Sequence, residues 1–274
     1  MTVLPQTTEL LTSLDSGWLT ITLDRPEARN ALSEAMATDL ITTLDWAREN
    51  SVRGITLRAN GPAFCAGGDL KAFAAALQGT PDREALVALN KSGAEIFHKV
   101  KTAPQTIIAL IDGPALAGGM GLAACADIMI VTPNAKFALT ETRLGIIPAQ
   151  IAPHMVDRLG SIKTKRLMLT GAKFDGTGAH EMGLADYIVP DLNAGITLES
   201  ELRAQVLECA PHANAAVKEL INDAAELERE AFTHAAAERF ADCLISAEGK
   251  EGVTAFMQKR KPDWAPQADE EQDR

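Results

Sequence analysis

The chain has 274 residues, 46% hydrophobic and 23% charged, with a formal net charge of −11. That length suits one large α/β domain, or a domain with an appendage, and can bury a sizeable core. The acidic balance argues against nucleic acid as a partner, because phosphate binding needs a basic face, and any anionic ligand must find local positive charge.

Residues 17–23 alternate like a half-buried strand. Ser33 reads as the N-cap of a helix that carries Met36, Leu40, Ile41 and Leu44 on one face. Residues 53–59 form a second strand with Ile55 and Leu57 inward, 105–111 a buried strand, 118–124 a helix of small residues and 128–131 another apolar strand. This strand, strand, helix rhythm predicts stacked ββα turns. After Pro148 the pattern is mostly helical, interrupted by a strand-like stretch at 185–190. From about Leu198 to Lys259 it is helical throughout, with Leu202, Val206 and Cys209, then Val217, Leu220 and Ile221, then Phe232 and Phe240 at helical spacing. Such stripes mark core or subunit contact. The expected division is a core over 1–197, a helical region over 198–264 and a disordered acid-rich tail over 265–274. No apolar run approaches membrane-spanning length and the N-terminus lacks the features of a signal peptide, so no membrane partner and a cytoplasmic location are expected. The cysteines Cys65, Cys125, Cys209 and Cys243 lack CxxC spacing and read as reduced thiols.

Two glycine-bearing turns stand out: Phe64-Cys65-Ala66-Gly67-Gly68-Asp69-Leu70, and Gly113-Pro114-Ala115-Leu116-Ala117-Gly118-Gly119-Met120-Gly121. Each follows an apolar strand and leads into a helix-like segment. Glycines there permit tight turns; they also let a ligand approach backbone N–H groups that can hold a developing negative charge. Upstream stands Leu23-Asp24-Arg25-Pro26-Glu27-Ala28-Arg29-Asn30-Ala31-Leu32-Ser33, and downstream Phe137-Ala138-Leu139-Thr140-Glu141-Thr142-Arg143-Leu144-Gly145-Ile146-Ile147-Pro148. The chain closes with Glu251-Gly252-Val253-Thr254-Ala255-Phe256-Met257-Gln258-Lys259-Arg260-Lys261-Pro262. In this order the set resembles the enoyl-CoA hydratase/isomerase (crotonase) superfamily, from about Thr20 to Trp264.

The resemblance implies an α/β fold, a crotonase-like spiral of ββα turns with a C-terminal helical trimerisation region, assembled as a homotrimer or a dimer of trimers. It implies an acyl-CoA substrate whose thioester oxygen is held by the N–H groups of Gly68 and Gly118, with no cofactor because coenzyme A is part of the substrate. Arg25, Arg29, Ala66, Asp69 and Leu70, together with Phe256 and Lys259, fall at its substrate- and CoA-binding positions. Without it, Lys259-Arg260-Lys261 reads first as the solvated end of a helix, and Asp69 as a helix cap.

Hydratases of this superfamily commonly use two glutamates. One matches Glu141, set among apolar residues that would raise its pKa; a helix-turn glutamate or a partner of Arg143 is the other reading of that position. The second falls on Gly121, so the two-carboxylate pattern is broken. Asp69, Gln150 and His154 do not obviously restore it, and no histidine has metal-ligand spacing. The Ala149-Gln150-Ile151-Ala152-Pro153 stretch, standing where many relatives carry glycines, together with Gly121 in place of a glutamate, resembles bacterial hydratases of methylglutaconyl- and isohexenylglutaconyl-CoA. The expected activity is hydration of a branched 2-enoyl-CoA. The alternatives are a Δ3,Δ2-enoyl-CoA isomerase with one glutamate base, and a non-catalytic acyl-CoA-binding or scaffold protein. Phe73, Leu77 and Leu86 are candidate pocket walls or plain core.

Overall fold

The computed structural model describes residues 3–69, 74, 75, 78 and 82–266; Leu70, Phe73, Leu77 and the tail residues 267–274 lie outside the described residues. Strands β1 (Leu10–Asp15) and β2 (Trp18–Leu23) pair antiparallel through Ser16-Gly17, both at positive φ as a two-residue hairpin requires. β2 then pairs in parallel with β3 (Gly54–Ala59), β3 with β4 (Thr106–Ile111), β4 with β6 (Ile128–Val131) and β6 with β9 (Tyr187–Ile188). A second sheet, missed by the sequence reading, joins the short strands β5 (Pro114–Leu116), β7 (Lys136–Ala138) and β8 (Lys173–Asp175). β4 followed by β5, and β6 followed by β7, each place a strand in the large sheet and a short strand in the small one ahead of a helix, which is the expected ββα turn.

The central strands are apolar on both faces, as parallel strands covered from two sides must be. Ile107, Ala109 and Ile111 of β4 share one core with Leu19, Ile21, Leu57 and the inner faces of α1 (Glu34–Glu49) and α2 (Arg83–Thr102). Ile108 and Leu110 point the other way, into a smaller cluster with Trp18, Ile130 and Leu202 of α6 (Leu192–Glu208). Helix α1 begins where expected, Ser33 Oγ accepting from the Met36 N–H at 3.0 Å. Between α2 and α6 come α3 (Gly118–Ala124), α4 (Ala152–Thr170) and α5 (Gly176–Met182).

The helical region expected from about residue 198 is present as α6 followed by α7 (Pro211–Glu226), α8 (Arg229–Ile245) and α9 (Ala247–Met257). Three other expectations are corrected. Helix α6 starts earlier, at Leu192, capped by Asp191, and belongs to the sheet rather than to an appended region; its Gly195 lies so near Leu110 that a Cβ would come within 2.7 Å of that side chain. The strand-like 185–190 stretch yields only Tyr187–Ile188. Ala265, placed in the tail by the sequence reading, is buried and bonds back to Pro262.

Helices α7 to α9 dock at the leading end of the large sheet. Lys218 of α7 donates to Asp127 Oδ2 at 2.7 Å and the Gln105 carbonyl at 2.8 Å, just ahead of β6 and β4. Arg53, just ahead of β3, donates to the carbonyls of Leu207, Cys209 and Trp264. The glycine turns lie beyond the trailing ends of these strands, about 20 Å away along a six-residue strand. Val217, Ile221, Phe240, Val253, Phe256 and Met257 of these helices are exposed.

Candidate active site

β3 delivers the chain to the first turn and β5 delivers it to the second. Cys65 and Ala115 form a parallel bridge, Cys65 N donating to the Pro114 carbonyl at 3.1 Å and Leu116 N to the Cys65 carbonyl at 2.9 Å. The first turn is fixed on its other side by Leu32, whose N–H donates to Gly67 O at 2.8 Å and whose carbonyl accepts from Asp69 N at 3.3 Å. In that pattern Gly68, the residue opposite Leu32, directs its own N–H away from Leu32. The second turn ends at Ala117, with φ 49° and ψ −122°, and Gly118 is the first residue of α3, where an N–H has no intrahelical acceptor. Among the described residues neither the Gly68 nor the Gly118 N–H has a protein acceptor.

These two groups are neighbours: a Cβ on Gly118 would lie 3.6 Å from Gly68 N, and one on Gly67 3.2 Å from Gly118 N. Glycine is obligatory at Gly119, where a Cβ would fall 2.2 Å from the Cys65 carbonyl oxygen. The strained backbone of Ala117, costing on the order of 1–3 kcal/mol, is held because Ala117 N donates to the Ala138 carbonyl at 2.8 Å on β7. Two donors from separate turns therefore lie side by side. Such a pair can hold a single oxyanion.

Glu141 begins a four-residue 3₁₀ turn that follows β7, closed by Gly145 in the left-handed region. It is half-buried and its Oε2 has no hydrogen-bond partner. Burial holds its carboxyl above the usual carboxylate range, with a hydrogen bond from its own backbone pulling the other way. Arg143 forms no ion pair with it among the described residues; the guanidinium lies on the carbonyls of Thr170 and Gly171.

The position expected to hold a second carboxylate is closed. Gly121 is buried in α3, and a Cβ there would meet Ile151 Cγ2 at 2.2 Å and Ile151 Cβ at 2.6 Å. Ile151, the buried N-cap of α4, thus occupies the space a side chain at 121 would need. The two departures noted in the sequence, Gly121 and Ala149-Gln150-Ile151, are one packing unit. In the sequence the two stand together as one subfamily signature, but their contact is not visible there, because packing between α3 and α4 leaves no local pattern.

The remaining candidates divide. Arg25 is engaged by protein carboxylates, Nε with Glu9 at 3.2 Å and Nη1 with Asp69 at 3.1 Å, so it braces the first turn rather than standing free for an anion. Arg29 is exposed and forms no ion pair among the described residues, while its carbonyl accepts from Ala66 N. Gln150 Nε2 donates to Asn90 Oδ1 on α2 at 2.6 Å. His154 is turned against Phe97, and burial pushes its imidazole below the ordinary range while Asp157 pulls it up. Phe256 and Lys259 are exposed and belong to the leading end of the sheet, opposite the glycine turns of the same chain. Cys65 and Cys125 are buried free thiols pushed up to about 12 by that burial. Among the described residues no helix is long and apolar enough to cross a membrane.

Residues 14–267 match the model of a family described as enoyl-CoA hydratase/isomerase. The chain is 33% identical over 256 residues, 88% of its length and 90% of the relative's, to the enoyl-CoA isomerase/hydratase fer4 of Mycosarcoma maydis. It is 28% identical over 260 residues, 93% of its length and 98% of the relative's, to the 2,3-dehydroadipyl-CoA hydratase of Escherichia coli. Among solved structures, Pseudomonas aeruginosa AtuE superposes with a TM-score of 0.90 at 43% identity, covering 94% of this chain and 100% of that one. The spiral of ββα turns, the two glycine turns and these matches agree, and the chain belongs to the enoyl-CoA hydratase/isomerase family, whose substrates are acyl-CoA thioesters.

Proposed function

We propose that the protein adds water across the 2,3-double bond of a branched 2-enoyl-CoA of the 3-methylglutaconyl or isohexenylglutaconyl type, with Glu141 as its one acid–base group. The observation that carries this reading is the side-by-side placement of the free Gly68 and Gly118 N–H groups, together with a half-buried carboxyl, its Oε2 without a partner, on the turn that follows β7. Glu141 takes a proton from water as the oxygen bonds to C3, and the C2–C3 electron pair moves into the thioester to give an enolate. The two N–H groups hold the enolate oxygen, each worth roughly 3–4 kcal/mol in the barrier. Protonated Glu141 then returns the proton to C2, completing addition of H and OH. Its raised pKa suits both steps, as a carboxyl titrating closer to neutrality serves as base and acid in turn.

Arg29 and the first turn, Ala66 included, border this site. The cation and ring for coenzyme A come from Lys259 and Phe256 of a second copy in a trimer. Supporting this is their exposure at the opposite end of the sheet from their own glycine turns, within a helical region that leaves Phe240, Val253 and Met257 in solvent. An apolar surface of that kind belongs to an interface.

One observation favours a second reading. With the Gly121 site filled by Ile151, a single carboxylate could instead move one proton from C2 to C4 of a 3-enoyl-CoA. Incubation with 3-methylglutaconyl-CoA, crotonyl-CoA and a 3-enoyl-CoA separates the two. Hydration removes the conjugated-thioester absorbance of the first substrate, whereas isomerisation creates that absorbance from the third. No change with any acyl-CoA would leave a binding protein.

A further inference from the structure

The turn that opens with Glu141 has four residues, too few to hold a position alone, and its carboxyl is held by no hydrogen-bond partner at Oε2. Two side chains of that turn reach the far end of α4. Thr142 Oγ1 donates to the Met168 carbonyl at 2.9 Å. Arg143 Nη2 donates to the carbonyls of Thr170 at 3.3 Å and Gly171 at 2.9 Å. These carbonyls end α4, so the guanidinium caps the helix and meets the negative end of its dipole. Gly171 adopts the left-handed conformation, φ 57°, and a Cβ there would fall 2.6 Å from Arg143 Nε, so this position leaves room for the arginine.

Helix α4 is bent. At Gly160 its backbone leaves the helical region, φ 73° and ψ 161°, and Thr164 Oγ1 ties the second half to the Met155 carbonyl at 2.9 Å. Through this bend one element closes on Gly121 with its N-cap, Ile151, and on the Glu141 turn with its last carbonyls. We infer that Arg143, assisted by Thr142, is a positioning residue that fixes the Glu141 carboxyl against the two glycine turns by locking its turn to the C-terminal end of α4. The inference rests on Glu141 being the acid–base group. Arg143 acts through the backbone and does not touch the reacting atoms.

The test compares Arg143→Ala, Arg143→Lys, Thr142→Val and Glu141→Gln with the parent enzyme, using 3-methylglutaconyl-CoA and a 3-enoyl-CoA as probes. Arg143→Ala lowers kcat by about 10–100-fold with KM nearly unchanged, the scale of a misplaced catalytic group. Its acidic limb in kcat/KM moves to lower pH, because a loosened turn lets water reach Glu141. Arg143→Lys recovers part of kcat, since an ammonium reaches one of the two carbonyls, and Thr142→Val shows a smaller loss in the same direction. If Arg143→Ala and Thr142→Val melt earlier but keep the parent kcat and pH limb, the arginine is merely structural and the inference is wrong. If Arg143→Ala does not fold, Arg143→Lys and Thr142→Val decide by the same two readouts. A Glu141→Gln variant with parent activity would overturn the acid–base assignment itself, whereas an inactive one beside an unaffected Arg143→Ala overturns only the positioning role.

Discussion

The contact between Gly121 and Ile151 can be measured as a coupling energy. In isolation Gly121→Ala would gain about 1 kcal/mol, because glycine is that much poorer than alanine inside a helix. The new methyl, however, would sit 2.2 Å from Ile151 Cγ2 and 2.6 Å from its Cβ, in a buried site, and such overpacking costs about 1–3 kcal/mol. The single variant is therefore neutral to destabilised by about 2 kcal/mol. Ile151→Ala alone loses about 2–4 kcal/mol through the cavity it leaves. In the double variant the 2.2 Å contact with Cγ2 is gone while the alanine at 151 keeps a Cβ at 2.6 Å, so the overpacking is relieved in part and the pair couples by about 1–2 kcal/mol. Urea unfolding of the four proteins at one fixed concentration measures this, the concentration held because assembly adds to apparent stability. Additivity within about 0.5 kcal/mol would refute the claim that Ile151 occupies the space of a side chain at 121.

Removing the ionisable group of Glu141 separates stability from catalysis. Its folded-state pKa is raised, so the folded protein binds a proton more tightly than the unfolded chain and loses stability as pH rises through that interval. Glu141→Gln is accordingly expected to melt higher than the parent at neutral pH, with the difference shrinking as pH falls below the usual glutamate range. Gly119→Ala drives a methyl into the Cys65 carbonyl and separates the two turns, lowering kcat by about 10²-fold, as loss of an oxyanion donor does; steady-state kinetics report it. Arg25→Met leaves Glu9 and Asp69 facing each other without their cation, costing about 1–3 kcal/mol in urea unfolding. Lys259→Ala raises KM for CoA thioesters severalfold and leaves kcat within about twofold, as loss of uniform binding does.

What could be read ahead of the structure was local. The strands of the large sheet followed short apolar runs, Ser33 capped α1 as its residue type prescribes, and glycine at Gly67 and Gly119 marked backbone that comes close to the facing turn. The start of α6 was also legible in principle, since Asp191 accepts from Ala194 N as an N-cap, but the preceding strand-like stretch masked it. The short strands β5, β7 and β8 are three residues each and carry too few positions to show a period. What could not be read was tertiary. Arg25 looked available for an anion because Glu9 and Asp69, its partners, lie on other segments. Ile151 reads locally as one more apolar residue, and Arg143 as a partner for its neighbour Glu141, because the packing of α4 on Gly121 and on the Glu141 turn joins segments distant in sequence. Ala117 adopts a positive φ that no residue type announces; only the pairing to Ala138 forces it.

The central claim is that one carboxyl, set beside two backbone N–H groups, carries all proton transfer. The most direct measurement is kcat for Glu141→Gln on the acyl-CoA that the parent enzyme turns over fastest, followed by the conjugated-thioester absorbance. The account predicts a fall of about 10²–10⁴-fold, the contribution of general acid–base catalysis, with KM little changed. A glutamine variant that turns over at the parent rate would contradict it.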